Sequence, residues 1–151
     1  MWHWRSQPLA ARTGSEIFAK LYAHETIATL LESPYPSVLP KLSRFSICAG
    51  KPIGEVLTPK IGEILPTMRR LLAEKKAPPA EVEHLPFTGG YIGWLGYDLA
   101  WELESLPEKN RDKLPFPVAY WYQPKSFAVL DHEAQTHSYL DRHKMNTSYS
   151  I

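Results

Sequence analysis

The chain has 151 residues, 44% hydrophobic and 22% charged, which suits one globular domain, and its net charge of +1 gives no field to gather nucleic acid or an anionic membrane. One cysteine, Cys48, excludes an internal disulfide, and no stretch reaches the ~18 apolar residues of a membrane span. The opening "MWHWRSQPLAARTG" lacks the apolar run of a signal peptide, so the expected setting is the cytoplasm.

In chain order, "TGSE" carries a capping-box pattern, with Thr13 as N-cap and Glu16 at the third helical position. Ile17, Phe18, Leu21 and Tyr22 follow at helical spacing, so a helix is predicted over Gly14 to His24. "TIATLLES", Thr26 to Ser33, reads as a strand and "PYPSVLP" as a loop. In "SRFSICAG", Phe45, Ile47 and Ala49 alternate with Arg44, Ser46 and Cys48, the period of a half-buried strand that would pair with the preceding one. Another short strand is expected near Ile53 to Leu57. Pro66 fits the first position of a helix running to Lys76, with Met68, Leu71 and Leu72 apolar and lysines in the last turn. "APPAEVEHLP" is a loop. Tyr91 to Tyr97 reads as a buried strand, followed by a short helix capped by Asp98 and ended by Pro107. "PVAYWYQ", "SFAVLDH" and "THSYLDR" are three more strands, the last two joined by a turn in "DHEAQTH". Helices and antiparallel strands mix without a βαβ rhythm, so the class is α+β.

The stretch "FTGGYIGWLGYDLAWELESLP" sets glycines among aromatics. A phosphate-binding loop would need a lysine and a helix N-terminus. Here no "GK[ST]" occurs, and Asp98, Glu102 and Glu104 would repel an anion. Close packing is the stronger reading: Gly93 and Gly96 let aromatics or a neighbouring backbone approach a strand. Other constellations are weak. His132 and His137 could meet across a hairpin and hold a metal, but their spacing matches no ligand pattern and exposed histidines are the simpler reading. Cys48 reads as an inert thiol. Glu102 and Glu104 stand two apart, off a shared helix face, and read as solvated charges.

The same stretch closely resembles the N-terminal region of chorismate-utilising enzymes, namely component I of anthranilate synthase and of aminodeoxychorismate synthase. The match rests on Gly89, Gly90, Gly96, Tyr97, Asp98, Glu104, Leu106 and Pro107, in the family's order. "ATLLESPYP" with "SRFSICAG", and "FAVLDHEAQTHSYL", resemble two further family segments, and the resemblance runs from about Trp4 to Arg142. "ESLP" and "SRFSICAG" lean toward the aminodeoxychorismate branch. The resemblance implies a domain over residues 1–143, a polar tail over 144–151, and sheets that pack against a C-terminal chorismate-binding domain. That domain, absent from this chain, would hold the catalytic residues and magnesium. No catalytic residue and no cofactor is then expected here. The implied role is the non-catalytic, structural or regulatory portion of a synthase that aminates chorismate on the route to tryptophan or folate. The implied partners are the chorismate-binding domain, in the same gene or split from it, and a glutamine amidotransferase component II. The chain would be a truncated, split or free-standing product with an exposed apolar docking face. By the same resemblance, Leu31, Glu32, Ser33 and Ser43 mark a possible tryptophan pocket. Two positions depart from the feedback-regulated pattern: Gly14 stands where a proline is common, and Ser43 beside Arg44 where a lysine is. The alternatives are a stand-alone module that binds an aromatic amino acid without catalysis, and an interaction protein with no ligand.

Overall fold

The computed structural model describes residues 3–33, 40–74, 77–107 and 114–141. The "PYPSVL" loop, Lys75, Lys76 and the expected tail lie outside them. At Thr13 the capping box forms as read: the Glu16 amide donates to Thr13 Oγ1 at 3.2 Å and the Thr13 amide to Glu16 Oε2 at 2.7 Å. Helix α1 therefore starts at Gly14 and runs Gly14–Tyr22, burying Ile17 and Tyr22.

α1 lies on a five-stranded antiparallel sheet of order β1-β7-β6-β3-β2. The strands are β1 (His3–Pro8), β2 (Thr29–Leu31), β3 (Phe45–Ala49), β6 (Ser126–Asp131) and β7 (Thr136–Asp141). Ala128, Leu130 and Cys48 meet Leu9, Ile17 and Tyr22 on the α1 side. Phe127, Val129, Leu140 and Ala49 meet Ile92, Tyr122, Val82 and Leu85 on the other. With both faces covered, all six residues of β6 are buried. For the same reason Ser46 and Cys48, read as the polar face of a half-buried strand, are fully buried.

The second sheet pairs β4 (Ile92–Leu95) with β5 (Ala119–Tyr122). Tyr122 joins the two sheets by donating its hydroxyl to Thr29 Oγ1 at 2.8 Å. The short helices are α2 (Pro40–Ser43) and α4 (Ala100–Leu103), with 3₁₀ turns at Ala80–Val82 and Tyr97–Leu99. Helix α3 runs Ile64–Ala73.

The α+β class holds, as do the predicted α1, β3 and the three last strands. Several details change. β2 keeps three of the eight residues expected. In place of the strand expected near Ile53 to Leu57 there are two isolated backbone bridges, Pro52 to Pro124 and Leu57 to Trp121. α3 begins two residues before Pro66, which sits at its third position. Proline is tolerated there because first-turn N–H groups have no intrahelical acceptor. Asp98 falls inside the 3₁₀ turn and caps nothing with its side chain. The glycine strand β4 is no buried centre: Trp94 and Leu95 are exposed. β1 escaped the sequence because "HWRSQP" is largely exposed; it forms by completing the ladder of β7.

The two hairpin histidines are both buried, and neither pairs with the other. His132 sits in the turn, while His137 on β7 stands opposite Leu130 of β6. No group of three metal-ligating side chains occurs among the described residues. Among the described residues neither ring nitrogen of His137 has a well-formed hydrogen bond, and the Pro8 backbone offers only a weak one. Burial, and then the Arg12 cation, hold its pKa below the ordinary histidine value. The unfolded chain thus binds the proton more readily. Stability should fall as pH drops below about 6.5, and more steeply than in His137→Leu. Urea midpoints of both proteins between pH 7 and pH 5 check this; parallel profiles would disprove it.

Candidate functional site: the Glu32 cluster

β2 ends at Leu31 and delivers Glu32 to the N-terminus of α1. Glu32 Oε1 accepts the Gly14 amide at 2.5 Å and faces Ser46 Oγ at 3.4 Å. Ser46, on β3, lies 2.7 Å from His132 Nε2 in a fully buried contact. Cys48, two residues along β3, donates its thiol to the Gly14 carbonyl at 3.5 Å. A β-carbon on Gly14 would lie 2.5 Å from Glu32 Oε1 and 2.8 Å from Ser46 Cβ, so only glycine lets the helix start this close. The carboxylate also opposes the positive end of the α1 dipole.

The chemistry of this cluster is binding and positioning. Burial, helped by the Glu32 charge, pushes the Cys48 thiol up to about 12, so it stays protonated at neutral pH. Ser46 does face a histidine, but the acid meets the serine rather than the far side of the ring, the reverse of a nucleophilic triad. Of the residues singled out in the sequence, Glu32 and Ser33 are exposed at the end of β2 and Leu31 is 47% exposed. Ser43 ends α2 and is buried. The cluster thus gathers Glu32 with Gly14, Ser46 and His132. Sequence reading missed the last two as neighbours. The available signal was a serine set between Phe45 and Ile47, on the strand face assumed to meet water.

Next to the cluster, Arg44 makes a paired contact with buried Asp131, donating from Nη2 to Oδ2 at 2.7 Å. Asp131 Oδ1 also accepts the Glu133 and Ala134 amides, fixing the β6–β7 turn. Burial alone would raise its pKa, but these bonds outweigh it and hold the carboxyl below the usual range.

A second long-range carboxylate cap occurs at α3. Glu102 of α4 accepts the amides of Gly62, Ile64 and Leu65 at 2.8, 3.1 and 2.7 Å. Burial raises its pKa, but the three amides together pull it below the ordinary glutamate value. It is a working cap rather than a solvated charge. Glu102→Ala should lower Tm by about 2–4 °C and speed amide exchange at Ile64 and Leu65. Unchanged exchange there would refute the assignment.

Comparison with known proteins matches this sequence to no family model. Curated relatives do match. An anthranilate synthase component I-like protein of Synechocystis sp. is 52% identical over 144 residues, 89% of this chain and 29% of the relative. Aminodeoxychorismate synthase component 1 of Escherichia coli is 28% identical over 146 residues, 87% of this chain and 32% of the relative. Anthranilate synthase component 1 of Cereibacter sphaeroides is 38% identical over 78 residues, 51% of this chain and 15% of the relative. The chain spans about 29% of the length of the first of these and 15–32% of the others. It is a homologue of the component I synthases of the anthranilate and aminodeoxychorismate type, matching their N-terminal part.

Proposed function

We propose that this chain serves as the non-catalytic N-terminal portion of a component I synthase that aminates chorismate toward anthranilate or aminodeoxychorismate. The reading rests on the 52% identity that covers 89% of this chain but 29% of the relative. Exposed Tyr97, Leu103, Leu106 and Phe116 support it, as large apolar side chains that a further part of such a synthase would cover. On this reading the remainder carries chorismate, magnesium and the reaction, and a glutamine amidotransferase component supplies ammonia. The test mixes this chain with the separately expressed remainder of the Synechocystis relative, with chorismate, magnesium and ammonium. Aminated product should form faster with both parts than with the remainder alone. Turnover by this chain alone, or a remainder indifferent to it, would overturn the reading.

A ligand reading is favoured by one observation at Glu32. Its Oε1 is anchored by Gly14 and Ser46, and among the described residues Oε2 accepts no hydrogen bond. Oε2 then takes the ammonium of tryptophan, Leu31, Ser33 and Ser43 being the other residues that the family resemblance assigns to such a pocket. Titration calorimetry should show binding that Glu32→Ala weakens at least about tenfold. No heat at millimolar tryptophan would rule this out.

A further inference from the structure

The backbone of His132 is fixed on both sides. Its amide donates to the Arg44 carbonyl at 2.9 Å, and its carbonyl accepts Gln135 Nε2 at 2.7 Å. Gln135 Oε1 in turn accepts the Ala11 amide at 3.0 Å, two residues ahead of the Thr13 cap. The β6–β7 turn is thereby tied both to the start of β3 and to the entry of α1. This places the ring inside, with the residue 6% exposed, and sets Nε2 2.7 Å from Ser46 Oγ, itself fully buried.

Ser46 Oγ has one proton and two neighbours able to take it, Glu32 Oε1 at 3.4 Å and His132 Nε2 at 2.7 Å. Oε1 is pinned in place by the Gly14 amide. Glycine keeps the gap between them open, since a β-carbon there would stand 2.5 Å from Oε1 and 2.9 Å from Ser46 Oγ. If Ser46 gave its proton to a bare Nε2, the serine lone pairs would face the carboxylate oxygen, leaving two acceptors in contact beside the core. With a proton on Nε2, both contacts become hydrogen bonds. Nε2–H donates to Oγ, and Oγ–H donates to Oε1. Donors aligned in one direction also strengthen one another.

We propose that His132 is a positioning residue for Glu32, acting through Ser46: its Nε2–H fixes the direction of the Ser46 hydroxyl, which holds Oε1 and leaves Oε2 for a cationic ligand. The proposal deepens the ligand reading of Glu32 and rests on it for what the relay serves. An ammonium group then meets a carboxylate already held at one oxygen by two donors, with less side-chain freedom to lose on binding. His132 and Ser46 are 86 residues apart in sequence, so the relay also makes the Glu32 site depend on the β6–β7 turn.

Three measurements on this chain test it. Nitrogen-15 NMR of the imidazole rings, with His132 assigned by the signal lost in His132→Gln, should find a proton on Nε2. A bare Nε2 in the unaltered chain overturns the proposal, whether or not the variants fold. Exchange at the Gly14 amide should speed about five- to tenfold in His132→Leu and in Ser46→Ala, and no further in the double variant. His132→Gln, whose side-chain amide can donate to Oγ, should restore slow exchange. The Glu16 amide, capped by Thr13, should change little throughout, which separates loosening of Glu32 from fraying of α1. Unchanged exchange at Gly14, additive effects of the two variants, or equal losses in His132→Leu and His132→Gln overturn the relay. Titration with tryptophan should show binding that His132→Leu weakens about three- to fivefold and His132→Gln restores. Binding undiminished by His132→Leu overturns the positioning role. Absence of heat from the unaltered chain sinks the ligand reading instead, and the first two measurements still decide the relay.

Discussion

Gly93→Ala is expected to detach β4 from β5 and to lower stability by about 3 kcal/mol or more. A β-carbon there would lie 1.7 Å from the Tyr120 carbonyl oxygen and 2.9 Å from Trp121 Cα. Both are backbone atoms of the facing strand, so no side chain can swing aside and the ladder itself must move. What goes with it is substantial. Trp94 and Tyr120 stack with centroids 4.2 Å apart and planes at 2°, an arrangement worth about 0.5–1.5 kcal/mol beyond its burial. Ile92, buried in the larger core, would lose its place as well. Thermal unfolding should shift down by about 6–12 °C, with altered near-ultraviolet circular dichroism. Gly96→Ala is the graded control: its β-carbon meets the Val118 carbonyl oxygen at 3.0 Å, which a shift of a few tenths of an ångström relieves. If the two variants cost the same, close strand packing is not the reason for glycine at 93.

Gly14→Ala should also destabilise the protein, by about 2–4 kcal/mol, although alanine favours helix over glycine by ~1 kcal/mol. The added carbon would displace Glu32 from the Gly14 amide and press on Ser46 of a central strand. Overpacking costs about 1–3 kcal/mol and loss of a charge-assisted bond about 1.5–3 kcal/mol, so packing outweighs propensity. Urea unfolding of Gly14→Ala, Glu32→Ala and the double variant separates the causes. With Glu32 removed, the alanine should cost less. Strict additivity would mean that Glu32 is not what glycine accommodates.

The legible parts of the fold were those written in short-range chemistry. Thr13 and Glu16 announced α1 because a capping box is complete within four residues. Phe45 to Ala49 announced β3 by alternation. Hidden features depended on distant partners. β1 looks like polar coil until β7 stands beside it. Glu102 looks like a solvated acid until the start of α3 arrives, 37 to 40 residues away in sequence. His137 looks exposed until β1 and β6 close over it. The Glu32 site was half legible: the family-like segment pointed to Glu32 and Ser33, but Ser46 and His132 join it through a contact spanning 86 residues. Alternation also misled where a sheet is covered on both faces, since it assumes that one face meets water.

The first and last described strands lie side by side, with His3 opposite Asp141 and Pro8 opposite Thr136. During synthesis β1 leaves the ribosome first and waits for β7 before it can pair. At about 5–20 residues per second, that wait is on the order of ten seconds. Until then Trp4 and the Leu9 segment have no sheet to rest on, and the α1 side of the core stays open. So large a loop closure makes folding slow for a domain of this size. A nascent chain stalled before Thr136 should therefore remain open to proteases and chaperones.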